Sequence, residues 1–333
     1  MLAWKPKFAN PKVASVRFRC LNPMAELHRR SFPIELFNEA RLLKYSGVIF
    51  SKLYDEQNYN LAMRLKQHGK AVIFDICDNH FYNPYGLETF NAIRQQLMKM
   101  LHIADLIVAS TGMLAEILVK EANLPTQPAV IGDAVEETDY AEAEKGRWFA
   151  KRIRKTGLTN ILWFGIHGGE NAPYGMLDLL NQKDLLSELA ELYPLQLIVV
   201  SDSAVKFKRY IEPLPFRTRY IEWGSRPFRQ VLRQIDINII PISRNPFTLC
   251  KTNNRLATAL FAGVPTVADE IPSYTDLAPY CILNAWRDGL QFYLENKLAA
   301  VEQARSARPY ILRNYTIKQI GDAWARHLSP FVD

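Results

Sequence analysis

Residues 236–274 read DINIIPISRNPFTLCKTNNRLATALFAGVPTVADEIPSY. The run Ile237 to Ile242 is apolar and largely β-branched, as expected of a strand buried on both faces of a parallel sheet. Asn253 or Asn254 is a suitable N-cap for a helix reaching Phe261. Gly263 then stops that helix and Pro265 cannot continue it, so Val264 to Ala268 starts afresh as a strand. A strand, loop, helix, turn and strand make a βαβ unit, and open α/β sheets bind ligands at the carboxyl ends of their strands.

The loop before this helix holds Lys251 and Arg255, with Asn254 between them and Thr258 one turn on. A helix N-terminus carries unpaired N–H groups and partial positive charge, and two cations beside it would complete a diphosphate site. The plainer reading is two solvated surface charges.

The pattern Lys-x-x-Asn-Arg-Leu followed by Ala-Leu-x-Ala-Gly-Val-Pro-Thr-Val-Ala and then Tyr274 resembles the donor region of GT-B glycosyltransferases. It is most similar to the retaining, nucleotide-sugar-dependent, family 4-like group, and the likeness is strongest over 158–274. The resemblance implies an α/β fold of two Rossmann-like domains facing across a cleft. The division it implies is an acceptor-side domain at 1–140, a linker at 141–157, a nucleotide-sugar domain at 158–310, and a C-terminal helix at 311–333 returning to the first domain. It implies transfer of a sugar from a nucleotide-diphosphate donor, a UDP- or GDP-sugar, to a hydroxyl on a glycan, lipid or small molecule. Retention then needs no side-chain nucleophile and no metal.

Composition agrees with a large globular enzyme. The 333 residues are 48% hydrophobic and 23% charged, and the net charge of +7 favours anionic partners. Nucleic acid is not expected, because the basic residues form no stripe interleaved with aromatics. The four cysteines have no CxxC spacing, which argues against a zinc site and a disulfide framework. No stretch approaches the length of a membrane span, and the first residues carry no apolar leader. A cytoplasmic protein is expected, with peripheral contact to the inner face of a membrane open to it, for example near Arg29-Arg30.

Elsewhere, Val13 to Cys20 reads as the first strand, placing Arg17 and Arg19 on one face as acceptor-side residues or as an edge-strand solubility pair. Ala71 to Ile76 is another strand, ending in the polar cluster Asp75, Asp78, Asn79 and His80. Asp78 or His80 there would serve as a general base, or the group merely forms a capped turn. In the second half, Asn160 to Gly165 leads to His167, Gly168 and Gly169, a loop able to bring N–H groups to a phosphate. No Lys or Arg lies in 166–178, so His167 is the polar candidate there. By the same resemblance Glu222 and Trp223, at the end of a strand Thr218 to Trp223, are candidates to meet the nucleotide base, with Trp223 equally readable as core. Thr258 stands where the resembled group often has a ribose-binding Glu, and the Gly-Gly turn usual after the first strand is missing. These departures leave open a catalytically inactive scaffold, while a GT-B-type sugar-nucleotide epimerase would need an acid/base pair in the donor half.

Overall fold

The computed structural model describes residues 1–83, 86–136, 157–168 and 174–332, with backbone only at 225–227. The chain forms two compact units: unit 1 comprises Met1–Ala134, Leu249–Thr252 and Asn314–Asp333, and unit 2 comprises Val135–Thr248 and Asn253–Arg313.

Unit 1 is built on strands β1 (Leu2–Pro6), β2 (Ile34–Leu36), β3 (Gly47–Ser51), β4 (Ala71–Ile76), β5 (Leu106–Ala109) and β6 (Ala129–Val130), in the order β2-β1-β3-β4-β5-β6. Every pairing is parallel, so all the carboxyl ends share one edge. The chain leaves β1 towards β2 and then crosses to β3 on the other side, which puts a topological switch point at the carboxyl ends of β1 and β3.

The first strand is therefore Leu2–Pro6, and residues expected as a strand at Val13 to Cys20 are helical instead. The helix runs through Ala14–Val16, a wide π turn at Arg17–Leu21, and Asn22–Arg29. Val16, Cys20, Pro23 and Leu27 are buried at intervals of four, three and four residues, which is a helical stripe. The wide turn accommodates Pro23, which has no N–H to offer the preceding turn. Arg17 and Arg19 thus share no strand face.

The helix Ile317–Leu328 packs on this N-terminal helix. Trp324 meets Trp4 edge-on at 4.7 Å between ring centroids. Gly321 lies so close to Glu26 that an added Cβ would fall 2.3 Å from its Cγ. Glu26 accepts from both Arg29 and Arg30, and Arg30 also reaches Asp322. Two acids thus meet the two charges expected to form a basic face at Arg29-Arg30.

Unit 2 holds β7 (Thr159–Phe164), β8 (Leu195–Ser201), β9 (Thr218–Glu222), β10 (Ile237–Ile240), β11 (Thr266–Ala268) and β12 (Ile282–Leu283), in the order β12-β11-β10-β7-β8-β9 and again all parallel. β7, β8 and β10 are buried at every residue, which is why they read as mostly apolar runs; the buried polar Gln196 and Asn160 satisfy one another at 2.6 Å. The helix Asn254–Phe261 ends as its sequence requires. Gly263 takes φ +74°, its N–H donates to Leu260 O, and Val264 N–H donates to Ala259 O, a Schellman stop. The stretch Trp286 to Ala307 forms two helices, Trp286–Glu295 and Lys297–Ser306.

Candidate functional sites at the carboxyl edges

In unit 2 the chain runs from β7 out through β8 and β9 and returns to β10 beside β7. The switch point is therefore at the carboxyl ends of β7 and β10, where the sheet opens a crevice. Arg255 points there. Its guanidinium lies 3.4 Å from where a Cβ on Gly165 would stand, and it hydrogen-bonds Tyr274. Asn253 is the N-cap of the helix Asn254–Phe261, but its side chain makes no cap hydrogen bond. The helix start is thus not closed by the side chain of its own cap residue. Thr258 is half-buried on the same helix.

His167, just past β7, is fixed from β8. Asp202 Oδ1 accepts from the His167 backbone N–H at 2.9 Å and pairs with the ring Nδ1 at 2.8 Å. Burial pushes the Asp202 carboxyl up, but these two His167 donors outweigh it and the group lies below the ordinary carboxylate range. An ionised Asp202 requires the proton on Nδ1, which leaves Nε2 as the acceptor nitrogen of the ring. Lys206, only 5% exposed, donates to His167 O at 3.0 Å. Asp202 and Lys206 thus hold the candidate loop across 35 and 39 residues of sequence, a distance at which no local pattern signals them. Lys206 reaches the loop from the helix after β8.

Gly168 and Gly175 take φ +89° and +80°. At Gly175 a Cβ would fall 2.9 Å from the carbonyl carbon and oxygen of His167. Gly175→Ala is expected to lower the stability of unit 2 by about 1–3 kcal/mol, from left-handed strain and backbone collision together. Hydrogen exchange of unit 2 peptides under urea checks this; protection unchanged from wild type would contradict it. Gly169 lies outside the described residues, as do 141–156 of the expected linker.

Glu222 is exposed at the end of β9 and pairs with the Tyr220 hydroxyl at 2.8 Å. Trp223 stacks obliquely on Phe228, with centroids 4.8 Å apart, so part of its ring is a packing surface.

In unit 1 the polar cluster after β4 divides into two layers. Asp75 is fully buried and holds Arg19, itself 2% exposed. Arg19 also donates to Ile131 O at 2.5 Å and Gly132 O at 3.2 Å, and Asp133 lies at 3.4 Å. Burial opposes the charge on Arg19, but Asp75 and Asp133 outweigh it and keep the guanidinium protonated. This pair is core structure, closed to an acceptor. Arg17 donates to Pro11 O at 2.8 Å and lies over Phe18.

The outer layer is Asp78, in ion-pair contact with both Lys52 and Lys251. Lys251 therefore belongs to unit 1. The reason is electrostatic: a half-buried carboxylate offers it more than solvent at the start of a helix, where a cation is mildly unfavourable. Lys52 holds φ +57°, uncommon for a residue with a Cβ. Burial pushes the Asp78 carboxyl up, yet Lys251 and Lys52 dominate and hold it well below the ordinary range. Burial, reinforced by the same lysines against Asp78, lowers His80 to about 4. Tyr54 O and His80 Nδ1 are 2.8 Å apart. Burial raises the thiols of all four cysteines to about 12, so none offers a thiolate. Among the described residues no three His, Cys, Asp or Glu gather as a metal site.

His80 yields a pH prediction. Its folded pKa of about 4 lies below the ordinary 6.5, so between these values the unfolded chain binds a proton that the folded chain refuses. Stability is therefore lost as pH falls from 6.5 towards 4, by at most about 3 kcal/mol. Urea titrations across that window are expected to show this slope in wild type and a flatter one in His80→Gln.

No protein-family model matches the sequence, and no curated protein matches it. Solved structures do match. HepE from Anabaena, solved with UDP and glucose, superposes with a TM-score of 0.70 at 13% identity, covering 98% of this chain and 99% of that one. An α,α-trehalose-phosphate synthase (UDP-forming) from Burkholderia vietnamiensis gives 0.63 at 13%, covering 93% and 78%. The sucrose-phosphate synthase of Thermosynechococcus elongatus gives 0.62 at 12%, covering 90% and 81%. With two parallel Rossmann-like sheets, the chain has the GT-B fold.

Proposed function

We propose that this chain is a glycosyltransferase that binds a UDP-sugar in unit 2 and passes the sugar to a hydroxyl on a glycan, lipid or small molecule, with retention and without a metal. The observation that carries the reading is Arg255 in the first turn of the helix Asn254–Phe261, its guanidinium directed over the glycine at the end of β7. A diphosphate at this switch point would receive a planar cation and first-turn N–H groups together. UDP is the favoured nucleotide because HepE was solved with UDP and the trehalose-phosphate synthase is named as UDP-forming.

Arg255 and the helix dipole would stabilise charge as it grows on the departing diphosphate. His167, locked by Asp202, presents Nε2 as a hydrogen-bond acceptor for a donor hydroxyl. Glu222 and Trp223 are assigned to the base and Thr258 to the ribose, where its hydroxyl makes a shorter, neutral contact. Retention is favoured over inversion by the state of the acceptor-side groups. Inversion needs a base poised near the working pH. Asp78 is clamped by two lysines and His80 binds a proton only near pH 4, so both are weak bases. The departing diphosphate is then the strongest base at hand for the acceptor proton.

The test is a thermal-shift titration with UDP, GDP, ADP and CMP, followed by donor turnover with the UDP-sugars. A ligand that binds only the native state raises its melting point by mass action. Selective stabilisation by UDP and release of UDP from one UDP-sugar are expected. Absence of binding by all four nucleotides would remove the donor site and leave a silent binding protein.

A further inference from the structure

We infer that the loop Lys7–Lys12, carrying Phe8, docks this protein on an anionic lipid surface. The first acidic residue of the chain is Glu26; residues before it contain Lys5, Lys7, Lys12, Arg17 and Arg19. The structure consumes some of these charges. Arg19 is buried on Asp75, and Lys5 donates to Asn58 at 2.8 Å and lies over the Phe37 ring. Lys7 and Lys12 are exposed and have no carboxylate partner among the described residues. The acids at the neighbouring end of β2 are engaged elsewhere, Glu35 with Arg41 and Glu39 with Arg64.

A single exposed Phe is ordinary on a protein surface. Phe8 differs in its company. It is 46% exposed, between two unneutralised lysines, in a loop exposed at every residue from 7 to 12. The loop is also shaped in advance: Asn10 accepts from Lys12 N–H at 3.0 Å and Arg17 holds Pro11 O at 2.8 Å. Lysines with an apolar wedge suit the headgroup layer, where the cations meet lipid phosphate and the ring enters the acyl boundary. A soluble polyanion would use the lysines and leave Phe8 in water. The rings on either side in sequence are engaged: Trp4 is fully buried, and the Arg17 guanidinium covers Phe18 at 4.6 Å.

The loop leaves β1 at the switch-point edge of unit 1, the edge that also carries Ser51, Lys52, Asp78 and His80. Docking there would bring that edge to the lipid surface. That the acceptor is itself lipid-borne rests additionally on the glycosyltransferase reading; the docking does not.

The test is flotation of the whole chain with vesicles of phosphatidylcholine alone or mixed with phosphatidylglycerol, at low and high salt. Binding to the anionic vesicles only, weakening with salt, is expected. Lys7→Gln/Lys12→Gln is expected to weaken it about 25-fold, at roughly fivefold per lysine. Phe8→Ser is expected to weaken it about tenfold while leaving the salt dependence in place. Both variants lie outside the donor unit and should keep the wild-type melting point and UDP response, so failure of docking and failure of the donor site are read separately. No flotation with anionic vesicles, or flotation unchanged in both variants, overturns the inference. Retention on heparin or single-stranded DNA without flotation overturns it too, and assigns the loop to a soluble polyanion.

Discussion

Arg255→Ala is expected to abolish the stabilisation of this protein by UDP and to lower kcat/KM for the UDP-sugar by about two to three orders of magnitude. A guanidinium bonded to a diphosphate contributes charge-assisted hydrogen bonds of about 1.5–3 kcal/mol each, and the developing charge on the leaving group strengthens them. The effect belongs to the ligand more than to the fold. Arg255 is half-buried; it bonds the Tyr274 hydroxyl and its charge also favours the buried Asp178 carboxylate, which the Gly175 and Ser243 N–H groups hold in any case. Burial raises that phenol, so it stays neutral and loses only a neutral acceptor bond when Arg255 is removed. The unliganded variant should therefore melt within a few degrees of wild type. Arg255→Lys keeps the charge without the planar fork and should recover part of the affinity. If UDP stabilises Arg255→Ala as well as wild type, the diphosphate does not lie at this helix.

The same helix shows how far residue patterns carry. Ile237–Ile240, Asn254–Phe261 and Thr266–Ala268 were legible because burial on both faces, a cap position and the Gly263 stop are all local signals. The N-terminal helix was not. Valine and phenylalanine alternating with arginine imitate a strand over eight residues, and Asn22-Pro23 imitates its turn. Only the burial of Val16, Cys20, Pro23 and Leu27 exposes the helical period. β1 was hidden because Lys5 and Pro6 occupy two of its five positions. Within the candidate sites the missing signal is sequence distance. Lys251 finds Asp78 across 173 residues, Asp202 meets His167 across 35, and Lys206 reaches the same loop across 39. Types and strand ends could be read along the chain, but partners could not, and the partners decide which charges remain for a ligand. Arg19 lost its expected role to Asp75 in this way, and Lys251 was redirected to unit 1.

Asp75→Ala should be the most damaging single substitution for stability, at about 3–5 kcal/mol. Asp75 joins several elements of unit 1 through one buried network. Trp4 Nε1 donates to Ser51 Oγ at 2.8 Å, Ser51 Oγ donates to Asp75 Oδ2 at 3.2 Å, and Arg19 carries the chain onward to the carbonyls of Ile131 and Gly132. The Arg19 guanidinium also lies 5.6 Å from the Trp324 ring centre, which ties in the C-terminal helix. Removing the carboxylate leaves a 2%-exposed cation with two carbonyls and a longer contact to Asp133. That penalty is mostly the unpaired buried charge, and much less the net worth of the pair. The double variant Arg19→Met/Asp75→Ala should therefore be more stable than Asp75→Ala alone, a sign that ordinary loss of packing would not produce. Two units make a single unfolding transition a poor reporter, so the comparison calls for hydrogen exchange of β3–β5 peptides under urea. Loss of protection confined to unit 1 in Asp75→Ala, partly restored in the double variant, is the expected result. A double variant weaker than the single would mean that Arg19 stabilises the sheet without its carboxylate.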